Sequence, residues 1–290
     1  MSEYIIVTDS TADLPAAIIK EKEIQVMSLS FFIDDKEYLD TPQHDQMPLK
    51  DFYDYQRANK KTTTAALNPN DVYDFVKPYI ESGKDVLYIT FSSKLSVTYT
   101  NARTASENLA KEFPDNKLVV IDSLSACMGQ GLLVYLAADK KQEGLSIDEL
   151  EEWALAARSH ICHWFTVNDL FHLKRGGRVS AASAVIGSAL SIKPVLHVDD
   201  DGYLKNVSKV RGRRQSLDEL VKKLDETGID VKNQTIFISH GDALDDAEYL
   251  ADQIRKKYKP KKILIDYVGP VIGSHTGAGP VAVFFLGSKR

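Results

Sequence analysis

The sequence predicts an α/β protein, and three observations carry that prediction. Short β-branched runs alternate with amphipathic helical segments along most of the 290 residues. Two pairs of runs are each joined by a single helical segment, the βαβ pattern that makes neighbouring strands parallel. Hydrophobic residues make up 43% and charged residues 27% of the chain, an ordinary globular balance with material for a core.

In order, residues 4–8 form a short apolar run that ends in Asp9-Ser10-Thr11, capping residues ahead of a helix opened by Leu14-Pro15. Residues 24–32 are β-rich, and Asp34-Asp35 suits a hairpin turn before Tyr38. Residues 86–90 and 118–121 read as buried parallel strands. Between them Ala102, Ala105 and Leu109 share one helical face, completing the first βαβ unit. A helix over 127–142 follows, then one with Ile147, Leu150, Trp153, Ala154 and Ala157 on one side. The pattern then restarts with strands at 160–167 and 192–198. Asp199-Asp200-Asp201-Gly202 makes a hairpin turn into 203–210. Leu217, Leu220, Val221 and Leu224 mark an amphipathic helix. Residues 235–239, the helix with Leu244, Ala247, Ala251 and Ile254, and 263–267 form the second βαβ unit, and 281–286 a last strand. At roughly 150 residues per domain the length predicts two domains. The boundary is expected near residue 160, giving domains 1–160 and 161–290, each on a largely parallel sheet flanked by helices.

Net charge is −5 and the pI near 5.8, against a nucleic-acid partner, which would need a basic surface. The first residues have no basic region or small-residue cleavage site, and no apolar run approaches the ~20 residues that span a bilayer. Two cysteines without a framework pattern fit a reducing compartment, so a cytoplasmic protein is expected.

Ligands of open parallel sheets gather beyond the carboxyl ends of strands, which directs attention to the following loops. Ser92-Ser93-Lys94-Leu95-Ser96-Val97-Thr98 is rich in hydroxyls and runs into a helix, whose N-terminus favours a small anion. Taken by itself, the segment reads first as a plain helix start with Ser96 as its N-cap. Thr62-Thr63-Thr64, ahead of a helix opening at Asn68-Pro69, is a weak signal that also fits a polar strand edge. Arg175-Gly176-Gly177-Arg178 suits an anion or an acidic partner as well as a solvated loop, and precedes an expected small-residue helix at 181–190. Residues 269–280, with four glycines around His275, suggest positive φ or close backbone approach, and His275 could act as base, nucleophile or hydrogen-bond donor. Gly277-Ala278-Gly279 does not open a dinucleotide site, because Pro280 and an apolar strand follow. His160-Ile161-Cys162-His163 lacks a second ligand pair at zinc spacing, and Cys127 reads as core.

Taken in order, five segments resemble the DegV family of bacterial fatty-acid-binding proteins, also called FakB. They are residues 6–14 (IVTDSTADL), Thr62-Thr63-Thr64 with Asn68-Pro69, residues 92–99, residues 173–180 (LKRGGRVS) and residues 273–277 (GSHTG). The resemblance implies a two-domain α/β fold (EDD-type) with a long-chain fatty acid, such as palmitate, between the domains and no other cofactor. It implies that the carboxylate is held by Thr64 and Ser96, with Ser92, Ser93, His275 and Thr276 close by. It further implies a separate fatty acid kinase that phosphorylates the bound carboxyl group for phospholipid synthesis, with Arg175, Arg178 and Arg211 facing that partner. The chain departs from the family pattern in two places. Ala65-Ala66 follows Thr64 where Ser-Gln is usual, and Val97 stands in the usual glycine position. Rival readings are a phosphotransferase using His275, a hydrolase pairing Ser93 with His275, or a module docking an acidic partner through the three arginines. A hydrolase should carry G-x-S-x-G, which is absent.

Overall fold

The computed structural model describes residues 3–168, 170–180 and 191–290. The first half runs β1 (Tyr4–Asp9), α1 (Ala16–Glu21), β2 (Gln25–Met27), β3 (Ser30–Ile33), β4 (Lys36–Leu39), α2 (Leu49–Arg57) and β5 (Thr62–Ala65). It continues with α3 (Pro69–Glu81), β6 (Asp85–Thr90), α4 (Thr98–Glu112), β7 (Leu118–Asp122), α5 (Met128–Gln142) and α6 (Ile147–Ala157). The second half runs β8 (Ile161–Thr166), α7 (Phe171–Arg175), β9 (Ile192–Val198), β10 (Leu204–Arg211) and α8 (Arg213–Thr227). It closes with β11 (Thr235–His240), α9 (Leu244–Tyr258), β12 (Lys262–Tyr267), α10 (Pro270–Thr276) and β13 (Val281–Leu286). The helix expected over 181–190 lies outside the described residues.

Local chemistry explains the boundaries. Asn68 and Asp71 form a capping box at the start of α3, and Ser146 and Glu149 form another at α6. Asp34 and Asp35 both have positive φ, 49° and 66°, the backbone of a two-residue hairpin turn between β3 and β4.

Three sheets result. The first, in the order β2-β1-β6-β7, is wholly parallel, as the first βαβ unit requires. Its strand order reverses between β1 and β6, so its switch point lies beyond Asp9 and Thr90. The second, β10-β9-β8-β13-β11-β12, is mixed, which corrects the expectation of a largely parallel second sheet. Only β11 and β12 run parallel. The Asp199–Gly202 hairpin forces β9 and β10 antiparallel, and the last strand, β13, slots antiparallel between β8 and β11. A small antiparallel sheet, β4-β3-β5, carries the three threonines.

The main core is continuous across residue 160: Ile161, Phe237, Val268, Val271, Ala282 and Phe284 pack into the same cluster as Val7, Phe52, Leu87 and Met128. A second cluster lies beneath α8 and α9, built on Leu217, Leu220, Leu250 and Ile254.

Candidate functional site

Strand alternation selects which threonine can act. Thr62 and Thr64 share one face of β5, and Thr63 points the other way and is exposed. Thr62 accepts a hydrogen bond from Gln56 Nε2 at 2.8 Å, while Thr64 Oγ1 lies 2.9 Å from His275 Nε2. His275 is brought there by α10, which packs against β5. Burial, with the Arg178 and Arg175 charges beside it, pushes the imidazole down to about 4, so the ring is neutral at physiological pH. The other ring nitrogen faces Gly176, where an added Cβ would sit 2.5 Å from His275 Nδ1. Gly176 therefore lets the 175–178 loop close over the imidazole.

Arg178 belongs to the same group. Its guanidinium is half-buried, donating from Nε to the Leu95 carbonyl at 3.1 Å and from Nη1 to the Gly176 carbonyl at 2.5 Å. It thus ties the 175–178 loop to the backbone of the hydroxyl loop. Arg175 instead lies at the surface over the Phe171 ring, and Arg211 is exposed on the edge strand β10.

Arg178 and His275 line a cavity, and Thr64 touches it only through its bond to the His275 ring. The N-terminal half contributes Phe91, Leu95, Ala126 and Cys127, at the carboxyl end of β6 and the start of α5. The C-terminal half contributes Phe165, Leu173, Val198, Leu204, Ile272, Ala282 and Phe284, together with Arg178, His275 and Thr276. The wall is therefore apolar over most of its extent, with charge and hydrogen-bonding groups on the side where α10 meets the 175–178 loop. Three further polar side chains line it that the motifs did not indicate. Cys127 Sγ lies 3.1 Å from Ser239 Oγ, and the fully buried His163 is held neutral, its Nδ1 3.0 Å from the Ile161 carbonyl. Period-2 alternation in β8 was the available signal for His163; Cys127 gave none, since its position depends on a positive φ of 54°.

The remaining hydroxyls are placed differently. Ser92 is buried and donates to the Gly202 carbonyl at 3.0 Å, joining the hydroxyl loop to the β9–β10 hairpin. Ser93 anchors through its backbone N–H to Asp122, and His275 meets Thr64, the partner that the hydrolase reading assigned to Ser93. Ser96 Oγ accepts from the Thr98 N–H at 3.2 Å and lies 2.9 Å from Thr98 Oγ1, so it supports the start of α4. Neither Ser93 nor Ser96 lines the cavity. Thr276 does, with its hydroxyl donating to the Ile272 carbonyl at 3.3 Å. Val97 has φ −82°, so its glycine-like position demands no left-handed backbone. The glycine run after His275 does demand it: Gly277 and Gly279 have φ of 72° and 90° and press against His172 and Asn168.

The sequence model described as an uncharacterised protein of the DegV family matches residues 4–288. The chain belongs to the DegV family. A DegV domain-containing protein of Clostridium perfringens is 46% identical over 290 residues, covering 100% of this chain and 99% of that one. Among solved structures, a DegV family protein from Thermus thermophilus described for its fatty acid binding superposes with a TM-score of 0.87 at 27% identity. It covers 97% of this chain and 98% of its own. DegV of Bacillus subtilis, described as a fatty acid binding protein, gives 0.85 at 26% identity over 98% and 99% of the two chains. No helix among the described residues is long and apolar enough to cross a membrane.

Proposed function

We propose that this DegV family member is a cytoplasmic carrier of a long-chain fatty acid, held between domains 1–160 and 161–290, and not itself an enzyme. The observation that carries this reading is the apolar cavity with His275, bonded to Thr64, and Arg178 at its polar side. A buried acyl chain gains about 0.8 kcal/mol per CH₂, so the tail supplies affinity. The carboxylate must then be satisfied, because a lone buried charge costs far more than one hydrogen bond returns. The Arg178 guanidinium, the Thr64 hydroxyl and the His275 ring offer donors of the kind a carboxylate accepts. Ser96 and Ser92 then act on the head group through the loop they brace, rather than as its nearest contacts.

A carboxyl group held by a few hydrogen-bond donors at the polar side of the cavity is suited to presentation to a separate fatty acid kinase that forms the acyl phosphate. Exposed Arg175 and Arg211 are the residues of this chain proposed to face that partner.

Denaturing extraction followed by mass spectrometry tests the carrier reading. About one fatty acid per chain is expected from the purified protein, with a several-fold lower content in Thr64→Ala and Arg178→Ala variants. A lipid-free extract, from protein that also fails to bind added palmitate, would sink it. ATP-dependent acyl phosphate formation only when a separate kinase is added tests the partner, and turnover of ATP or an ester by the isolated chain overturns the non-enzyme assignment.

A further inference from the structure

The opening motif of the chain, which the lipid site does not use, brings together an acid cluster beyond the carboxyl ends of β1 and β2. Four carboxyl groups meet there: Asp9 at the end of β1, Asp13 in the turn after it, Asp40 just past β4 and Asp266 in β12. Among the described residues, none of the four pairs with lysine or arginine. The nearest basic group is His44 Nδ1, 3.7 Å from Asp40 Oδ1, and burial holds that imidazole toward its neutral form. Asp9 is satisfied by Thr11, Tyr88, Gln130 and the Phe91 N–H. Asp13 and Asp40 are not: both carboxyl oxygens of Asp13 and Oδ2 of Asp40 are buried and lack a hydrogen-bond partner.

Asp13 Oδ1 and Asp40 Oδ2 converge on Gly269, 2.5 and 3.3 Å from where a Cβ on that residue would sit. They are packed against the backbone at the residue that opens α10. The Cys127 thiol and the Gly269 N–H stand beside Asp13, and the Ser10 hydroxyl and the Val271 N–H beside Asp40. These ease the charges without completing hydrogen bonds to the three orphan oxygens. The other titratable groups around the pair, besides Asp9, Asp266 and His44, are Tyr53 of α2 and Tyr267 of β12, both held protonated by burial. Two carboxylates in a closed space without a countercharge are costly, and a proton on one of them removes most of that cost. Burial, with the Asp40 charge beside it, accordingly pushes the Asp13 carboxyl well up, and burial raises Asp40 to about 7.

The place of the pair gives its charge a lever on the lipid site. Helix α10 is seated on β3, β5, α2 and the turn after β1, with Gly273 pressing on Phe52 and Tyr53. Its far end carries His275 to within 2.9 Å of Thr64 and Thr276 into the cavity wall. Cys127, beside Asp13, lines the same cavity. We propose that Asp13 and Asp40 form a proton-operated catch on α10. While the two hold at least one proton between them, the helix stays seated and the polar side of the cavity keeps its shape. Once both are ionised, their repulsion against Gly269 loosens the seat, and lipid leaves faster. The catch belongs to the chain itself, and its effect on lipid rests on the carrier reading above.

Two measurements on the full chain, at pH 6.5 and pH 8, test this. Groups lowered by burial, His44 and His275, favour the seated helix as pH rises, so they cannot mimic the effect. In the lipid-free chain, exchange of the α10 amide hydrogens, corrected for the pH dependence of the intrinsic rate, should be several-fold faster at pH 8. Loss of one proton allows up to about tenfold per pH unit. Palmitate should also dissociate several-fold faster at pH 8. The double variant Asp13→Asn, Asp40→Asn, whose amides stand in for the protonated acids, should show neither response. Wild-type exchange that is the same at both pH values overturns the catch without any variant having to fold. So does a pH response that survives the double substitution, and so does palmitate that binds but leaves at one rate. A chain whose exchange responds but which binds no palmitate supports the catch and overturns the carrier reading instead.

Discussion

His275 has two attributes that lead in one direction, a neutral ring and a hydrogen bond to a hydroxyl at 2.9 Å. Its folded-state value of about 4 lies below the 6.5 of an unfolded histidine, so between these values the unfolded chain binds the extra proton. Stability from this group is complete above pH 6.5 and is lost as pH falls toward 4, by about 3 kcal/mol at most. Asp40, raised by burial to about 7, has the opposite sign: what it contributes is present in acid and lost as pH rises toward 7. The two can be separated by substitution. Urea denaturation across pH 4–7 should show a smaller acid loss in His275→Gln than in wild type, and identical slopes would refute the neutral buried ring. Asp40→Asn should be more stable than wild type at pH 8, and a variant no more stable there would refute the buried, raised carboxyl. Sequence alone made Thr64 and His275 legible as residues but not as a pair, since 211 positions separate them. Arg178 was legible as a charge but not as an inward one, because its direction depends on the Leu95 carbonyl that receives it.

At the scale of elements, the sites depend on how few atoms separate one element from the next. Helix α5 lies against β8 at Gly129, where an added Cβ would fall 1.9 Å from His163 Nε2. Both groups are fully enclosed and the imidazole is pinned through Nδ1 to the Ile161 carbonyl, so it cannot swing aside freely. Gly129→Ala is expected to lose about 2 kcal/mol, the range of overpacked cores, despite alanine's better helix propensity. A variant as stable as wild type in thermal denaturation would mean that the helix and strand can move apart there. Periodicity made α4, α8 and the hairpin turns legible, because each has its pattern within a few residues. It left the second sheet wrong in direction, since the neighbour of each strand is chosen by long-range pairing: β13, last in the chain, pairs with β8 some 120 residues earlier through Leu286 and Ile161. The alternation in 62–64 was readable as strand, but its face only gained meaning once α10 packed on it.

For the whole molecule, the question is what holds the halves around the cavity, and Arg290 is a central part of the answer. Burial lowers its guanidinium to about 10, and its acceptors are neutral oxygens drawn from both halves. It donates to Leu124 O at 2.7 Å and Ser125 Oγ at 3.0 Å in the loop before α5, to Arg158 O at 2.8 Å, and to Ile161 O and Asp199 O at 3.1 Å. That loop leads directly into Ala126 and Cys127 of the cavity wall, so Arg290 sets the wall as well as the joint. Arg290→Ala should lose about 3 kcal/mol, because several buried acceptors are left unmatched. Arg290→Lys should recover little of it, since one ammonium cannot span acceptors that a planar five-donor fork reaches. A pure stability effect is separated by Leu220→Ala, which opens a hole in the second core, away from the cavity, at a cost of about 2–5 kcal/mol. At matched stability, palmitate should dissociate faster from Arg290→Ala than from Leu220→Ala. Equal release rates would show that Arg290 fastens the two halves without shaping the cavity between them.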